Sequence, residues 1–213
     1  MNGVTNLLLG LAMGLNLLAL ASGRLPSVIR AAAGQGMILG VLPLLLEANT
    51  HWLVWLVAVS TVVVKGFVIP GLLQRAMRTA NIDREIEPFI GFVPSLLLGA
   101  GATIGAVALA GALPLLPEHS GSLLVPASFA MIVCGLLLLI GRTKAIVQVC
   151  GYLILENGIY LFGLLLIEST PLLVESGILL DLTVGVFVIG IIMDRIQRAF
   201  DSLDTRKLTV LRG

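Results

Sequence analysis

Residues 141–166, GRTKAIVQVCGYLILENGIYLFGLLL, set the reading of this chain. Arg142 and Lys144 open an apolar run long enough to cross a bilayer, and an acid, Glu156, stands inside it. At 1.5 Å per residue Glu156 lies about 18 Å along the helix from Lys144, near the midplane. A charge there costs about 2.5–3.5 kcal/mol on insertion scales. Such residues persist where they pair, line water or move ions. Gln148, Tyr152, Glu156 and Tyr160 recur every four residues and make one polar stripe, with Asn157 beside it. That stripe faces protein or water, as a structural hydrogen-bond network or as a proton or ion relay.

Two more ionisable residues lie deep in apolar runs. Asp181 is about 21 Å along its helix from Arg195. Gly177 and Gly185 lie one turn either side of it, and Thr183 is nearby. Lys65 is about 15 Å from Arg75, with Thr61 one turn away on the same face. It reads as a counter-ion for Glu156, for Asp181 or for an acid on another subunit, or as a lysine snorkelling to one interface. Glu47, Glu168, Glu175 and Asp194 fall near helix ends, where solvation is the default.

The composition agrees. Of 213 residues 58% are hydrophobic and 12% charged, with a mean hydropathy of +1.07. Soluble domains carry about 25% charged residues, so this chain is expected to be an integral membrane protein. A net charge of +1 without a basic cluster gives no support to nucleic-acid binding. Cys134 and Cys150 have no CxxC or Cys/His spacing, so no metal or cofactor is expected in this chain. Ala19-Leu20-Ala21 resembles a cleavage site, but no basic residue precedes it to form a signal-peptide n-region, which favours a retained first span.

Apolar runs give seven spans, at about 4–22, 28–47, 52–73, 89–113, 122–141, 145–167 and 172–193. The fold class is therefore all-α integral membrane with seven transmembrane helices. Two regions follow: 1–113, with four helices, and 122–213, with three helices and a tail at 194–213. Residues 74–88 form the one long hydrophilic connection. Arg24, Arg30, Arg75, Arg78, Arg84, Arg142, Lys144 and the basic residues of the tail all fall at odd-numbered breaks or at the C-terminus. The even-numbered breaks hold no Lys or Arg. The positive-inside rule then puts the N-terminus outside and the C-terminus in the cytoplasm. Gly10/Gly14, Gly36/Gly40 and Gly101/Gly105 have the spacing of close helix contacts. Pro43, Pro70 and Pro94 each remove a helical donor and are candidate kinks.

The run at 141–166 resembles the second helix of the K subunit of respiratory complex I and of the matching C subunit of Mrp antiporters. There a basic turn leads into a helix with a central Glu followed by Asn. Residues 175–196, ESGILLDLTVGVFVIGIIMDRI, resemble the third helix of that subunit. Glu156 matches the first acid; Asp181 matches the second in position but is Asp, not Glu. Over the whole chain, seven spans with this C-terminal half resemble the hydrogenase-4 component E family of formate hydrogenlyase-type complexes. The resemblance implies a non-redox membrane-arm subunit in a bacterial or archaeal plasma (inner) membrane. Its implied partners are antiporter-like subunits and a hydrophilic arm carrying a [NiFe] centre and iron–sulfur clusters. It also implies a proton or sodium pathway through Glu156, Asp181 and Lys65, supported by Gln148, Tyr152, Asn157 and Tyr160. The alternatives are a purely structural membrane-arm subunit and a stand-alone ion or small-solute transporter. Catalysis by this chain alone has no motif behind it. A faint internal echo sets Gly23-Arg24 against Gly141-Arg142; in that register Ile38 takes the place of Glu156.

Overall fold

A computed structural model describes residues 3–46, 52–79, 86, 88–113 and 121–164. The regular structure among them is helical. Helices α1 (Gly3–Ala21) and α2 (Leu25–Leu46) form a hairpin. Helix α3 (Trp52–Val63), a π-helical turn (Val64–Val68) and α4 (Ile69–Thr79) run on as one element. Helices α5 (Phe92–Ala112), α6 (Leu124–Gly141) and α7 (Ala145–Leu164) follow. Among the described residues six stretches are long and apolar enough to cross a membrane, the third being Val54–Arg78. They correspond to the first six expected spans. The seventh (172–193), the tail (194–213) and Asp181 lie outside the described residues.

Three boundaries shift for identifiable reasons. The third span continues through Gln74–Arg78, which had been expected in the hydrophilic connection. Leu73 and Met77 are buried one turn apart, while Arg75 and Arg78 are exposed, so an amphipathic turn extends the helix past its apolar core. Helix α2 starts at Leu25 rather than 28, with Pro26 in the first turn, where no backbone donor is needed. Helix α5 starts at Phe92 rather than 89, because the chain before it pairs with the α6–α7 turn. Pro88 forms an isolated bridge with Arg142, and the Phe89 N–H donates to the Gly141 carbonyl at 2.9 Å.

Packing is closest between α6 and α7. A Cβ at Gly135 would collide with the backbone of Gly151 and Leu155; at Gly151 it would meet Leu139 N at 2.7 Å; at Gly158, Ile132 N at 2.7 Å. Small residues here let two backbones touch. Gly36 and Gly40 do the same for α2 against Lys65 and Val62, both 2.6 Å from a built Cβ. Gly10/Gly14 and Gly101/Gly105 meet nothing within 4 Å among the described residues. Two apolar cores result. One gathers Leu20, Ile29, Leu73, Leu138 and Ile154; the other gathers Leu9, Leu39, Ala106, Met131 and Leu161. Both draw on helices from each side of the 114–121 connection. Leu7, Leu11, Trp55, Leu97 and Ile104 point outward, as expected of lipid-facing surface.

Hydrogen bonds tie the chain together at both ends of the bundle. At one end the Ile86 N–H donates to the Gly23 carbonyl at 2.9 Å, beside the Phe89–Gly141 bond. This end carries Arg24, Arg142 and Lys144, and α4 runs toward it with Arg75 and Arg78. At the other end Asn6 Nδ2 donates to the Gly121 carbonyl at 3.2 Å and Asn6 Oδ1 accepts from the Leu123 N–H at 3.1 Å.

Candidate functional site: a buried ion pair between the third span and α7

Pro70 shapes the segment that presents Lys65. A proline in a helix interior has no N–H for the carbonyl four residues back, and its ring clashes with that carbonyl. Residues Val64–Val68 take the wider π turn just before it, and the Ile69 N–H donates to the Val64 carbonyl five residues away. Such turns re-aim side chains and recur at functional sites. Gly36 completes the placement, because any larger residue would push α2 off Lys65 Cβ.

Lys65 Nζ lies 2.8 Å from Glu156 Oε1. It also donates to Asn157 Oδ1 at 3.1 Å and sits 5.6 Å from the centroid of the Tyr160 ring. The side chains of Lys65 and Glu156 are only 5% and 2% exposed. Of the readings open to Lys65 in the sequence, the contact with Glu156 is present and the side chain does not snorkel; Asp181 lies outside the described residues. The contact is a charge-assisted hydrogen bond between two residues near the middle of their spans, reinforced by a neutral amide and an aromatic face. A proton can move within such a group without leaving protein. Asn157 is a fixed dipole that keeps the ammonium oriented.

The expected stripe divides. Glu156, Asn157 and Tyr160 converge on Lys65. Gln148 Nε2 instead donates to the Arg142 carbonyl at 3.0 Å, one turn into α7. Tyr152 is half-buried against the first core. Asp181 lies outside the described residues. Among the described residues no group of three or more His, Cys, Asp or Glu could hold a metal ion.

Two polar features carry weight that the sequence did not announce. Arg142 is the largest fully buried side chain among the described residues. Its Nη2 donates to the Leu20 carbonyl at 2.7 Å, and its Nη1 to the Ile90 carbonyl at 2.6 Å and to Ser95 Oγ at 3.2 Å. Its guanidinium lies 4.9 Å from the Phe92 ring centroid. Burial lowers its pKa from the ordinary arginine value, yet an arginine stays charged. It therefore clamps the C-terminus of α1, where cations are favoured, to the start of α5. The sequence placed it in a short basic break and gave no sign of its burial. The second feature joins α1 to α2: Gln35 Nε2 donates to Asn16 Oδ1 at 2.6 Å and to the Ala12 carbonyl at 3.1 Å, with both side chains fully buried. The signal was present, since each amide interrupts an apolar run as Glu156 does.

These elements define a multi-pass helical membrane protein with an ion pair buried at mid-span. The chain is 35% identical over 191 residues to an uncharacterized protein of Mycobacterium tuberculosis, covering 88% of this chain and 86% of that one. It is 30% identical over 172 residues to hydrogenase-4 component E of Escherichia coli K12, covering 79% and 77%, and equally to that component of Shigella flexneri. The chain belongs to the hydrogenase-4 component E family. No family model matches it, and no solved structure does.

Proposed function

We propose that this chain is a non-redox membrane-arm subunit of a [NiFe]-hydrogenase or formate hydrogenlyase-type complex, and that its Lys65–Glu156 pair takes part in moving protons or sodium ions. The observation that carries this reading is the pair itself, 2.8 Å apart and shielded from solvent. A buried pair is weak as a stabiliser, because desolvation offsets much of the attraction, and an apolar replacement of similar volume is often as stable. Two ionisable groups with a shared proton are, by contrast, what a relay requires. The likeness of residues 122–213 to the complex I K subunit and the Mrp C subunit supports the same role, with Asp181 as the next acid. Antiporter-like subunits would adjoin this chain, and a hydrophilic arm would hold the [NiFe] centre and iron–sulfur clusters. The clustering of basic residues at one end supports a cytoplasmic position for that end in a plasma membrane.

The test is Glu156→Gln in the assembled complex. Redox turnover with loss of ion translocation is the expected result. Translocation and turnover both intact would refute the relay. Loss of assembly alone would favour a purely structural subunit.

A further inference from the structure

Beside the ion pair lies a cavity with about 10 Å³ of room for the centre of a water molecule, lined by Lys65, Asn157, Ala33, Ile29, Ile69 and Leu73 among others. That is enough for about one water. Its polar lining is buried: Asn157 is 1% and Lys65 6% exposed. Its position is directional. From Lys65 the wall runs through Ile69 and Leu73 toward Arg75 and Arg78. On α2 it runs from Ala33 back to Ile29, toward Arg24. On α7 it runs from Asn157 back to Leu153, toward Lys144. All three elements lead from the ion pair to the basic end of the bundle. Pro70, two residues past the π turn, also lines this side, where the helix has one backbone donor fewer.

We propose that this cavity is a water site and the access route by which the Lys65–Glu156 pair communicates with the basic end, closed at rest by the apolar side chains of Ile29, Ile69 and Leu73. A water there accepts from Lys65 or donates to the amide oxygen of Asn157, and needs only the turn of Leu73 to open before reaching the α4 arginines. The route rests on the relay reading for its purpose but not for its existence.

The test uses the full chain in native, sealed membrane vesicles of either orientation, with Cys134→Ala and Cys150→Ala as background. Ile69→Cys and Leu73→Cys are exposed to silver ions, which are close to a water in size, and the remaining thiol is titrated with a maleimide after denaturation. Both thiols should be blocked when silver is added at the basic end and spared when it is added at the opposite end. Adding Ala33→Leu, which fills the cavity, should abolish blocking of Ile69→Cys while leaving Leu73→Cys reactive. Ala58→Cys, two turns beyond Lys65 toward the other end and buried, should stay free. Silver reaching neither cavity position, reaching them only from the opposite end, or reaching Ala58→Cys equally from the basic end would overturn the proposal. Blocked thiols with full translocation in Glu156→Gln would leave the water site standing and remove only the relay.

Discussion

At the scale of single residues, the Lys65–Glu156 contact fixes what substitutions should do. Lys65→Met leaves a carboxylate in a buried, low-dielectric site, and breaking a buried pair from one side costs about 3–5 kcal/mol unless the acid takes up a proton. Lys65→Met with Glu156→Leu removes both charges, so the double variant should recover much of the thermal stability lost by the single one in detergent. Equal instability of the two would mean that packing, not charge, sets the cost. Arg142→Lys should also lower thermal stability, because a lysine cannot reach the Leu20 and Ile90 carbonyls in a fork. A buried polar group left unsatisfied costs about 1–3 kcal/mol. An unchanged melting temperature would contradict the clamp. The ionisable residues of the described spans were legible from the sequence, because a charge in an apolar run has few reasons to be there. That Lys65 meets Glu156 was not, since 91 residues separate them and only the folded bundle sets the distance. The Arg142 clamp was not legible either, because Leu20, Ile90 and Ser95 lie far from it in sequence and meet it only in the folded bundle.

At the scale of elements, a proline and a set of glycines place the site. Without Pro70 the third span regains a donor and can return to α-helical pitch. A residue in or out of a helix rotates what precedes it by about 100°. Pro70→Ala should therefore swing Lys65 off Glu156, lowering ion translocation more than the amount of assembled complex; wild-type translocation would show that the π turn is dispensable. Gly135→Val should strongly destabilise the chain, because Gly135 abuts the backbone of α7. Gly105→Ala should leave it unchanged, because nothing among the described residues approaches within 4 Å. Thermal melts of the purified chain distinguish the two. All three glycine pairs looked alike in sequence, since spacing records a capacity for close packing and not which helix faces which. The first six expected spans each match a helix among the described residues, because apolar length alone sets a span; the seventh lies outside them. The ends fared worse, because amphipathic turns such as Gln74–Arg78 carry charge while still burying Leu73 and Met77.

At the scale of the molecule, six apolar helices among the described residues and membership of the hydrogenase-4 component E family fit a protein that works inside a larger membrane assembly. The outward apolar faces of α1 and α5 are compatible with lipid or with neighbouring helices, and the proposed relay through the ion pair works only if something drives it. On the proposed reading, partner subunits supply that drive. Isolation of the protein from native membranes in mild detergent, with identification of everything that co-purifies, tests this most directly. The account predicts a stable set that includes antiporter-like membrane subunits and a [NiFe]-hydrogenase arm. A protein that is reproducibly solitary under those conditions, and that moves an ion or solute in vesicles by itself, would contradict it.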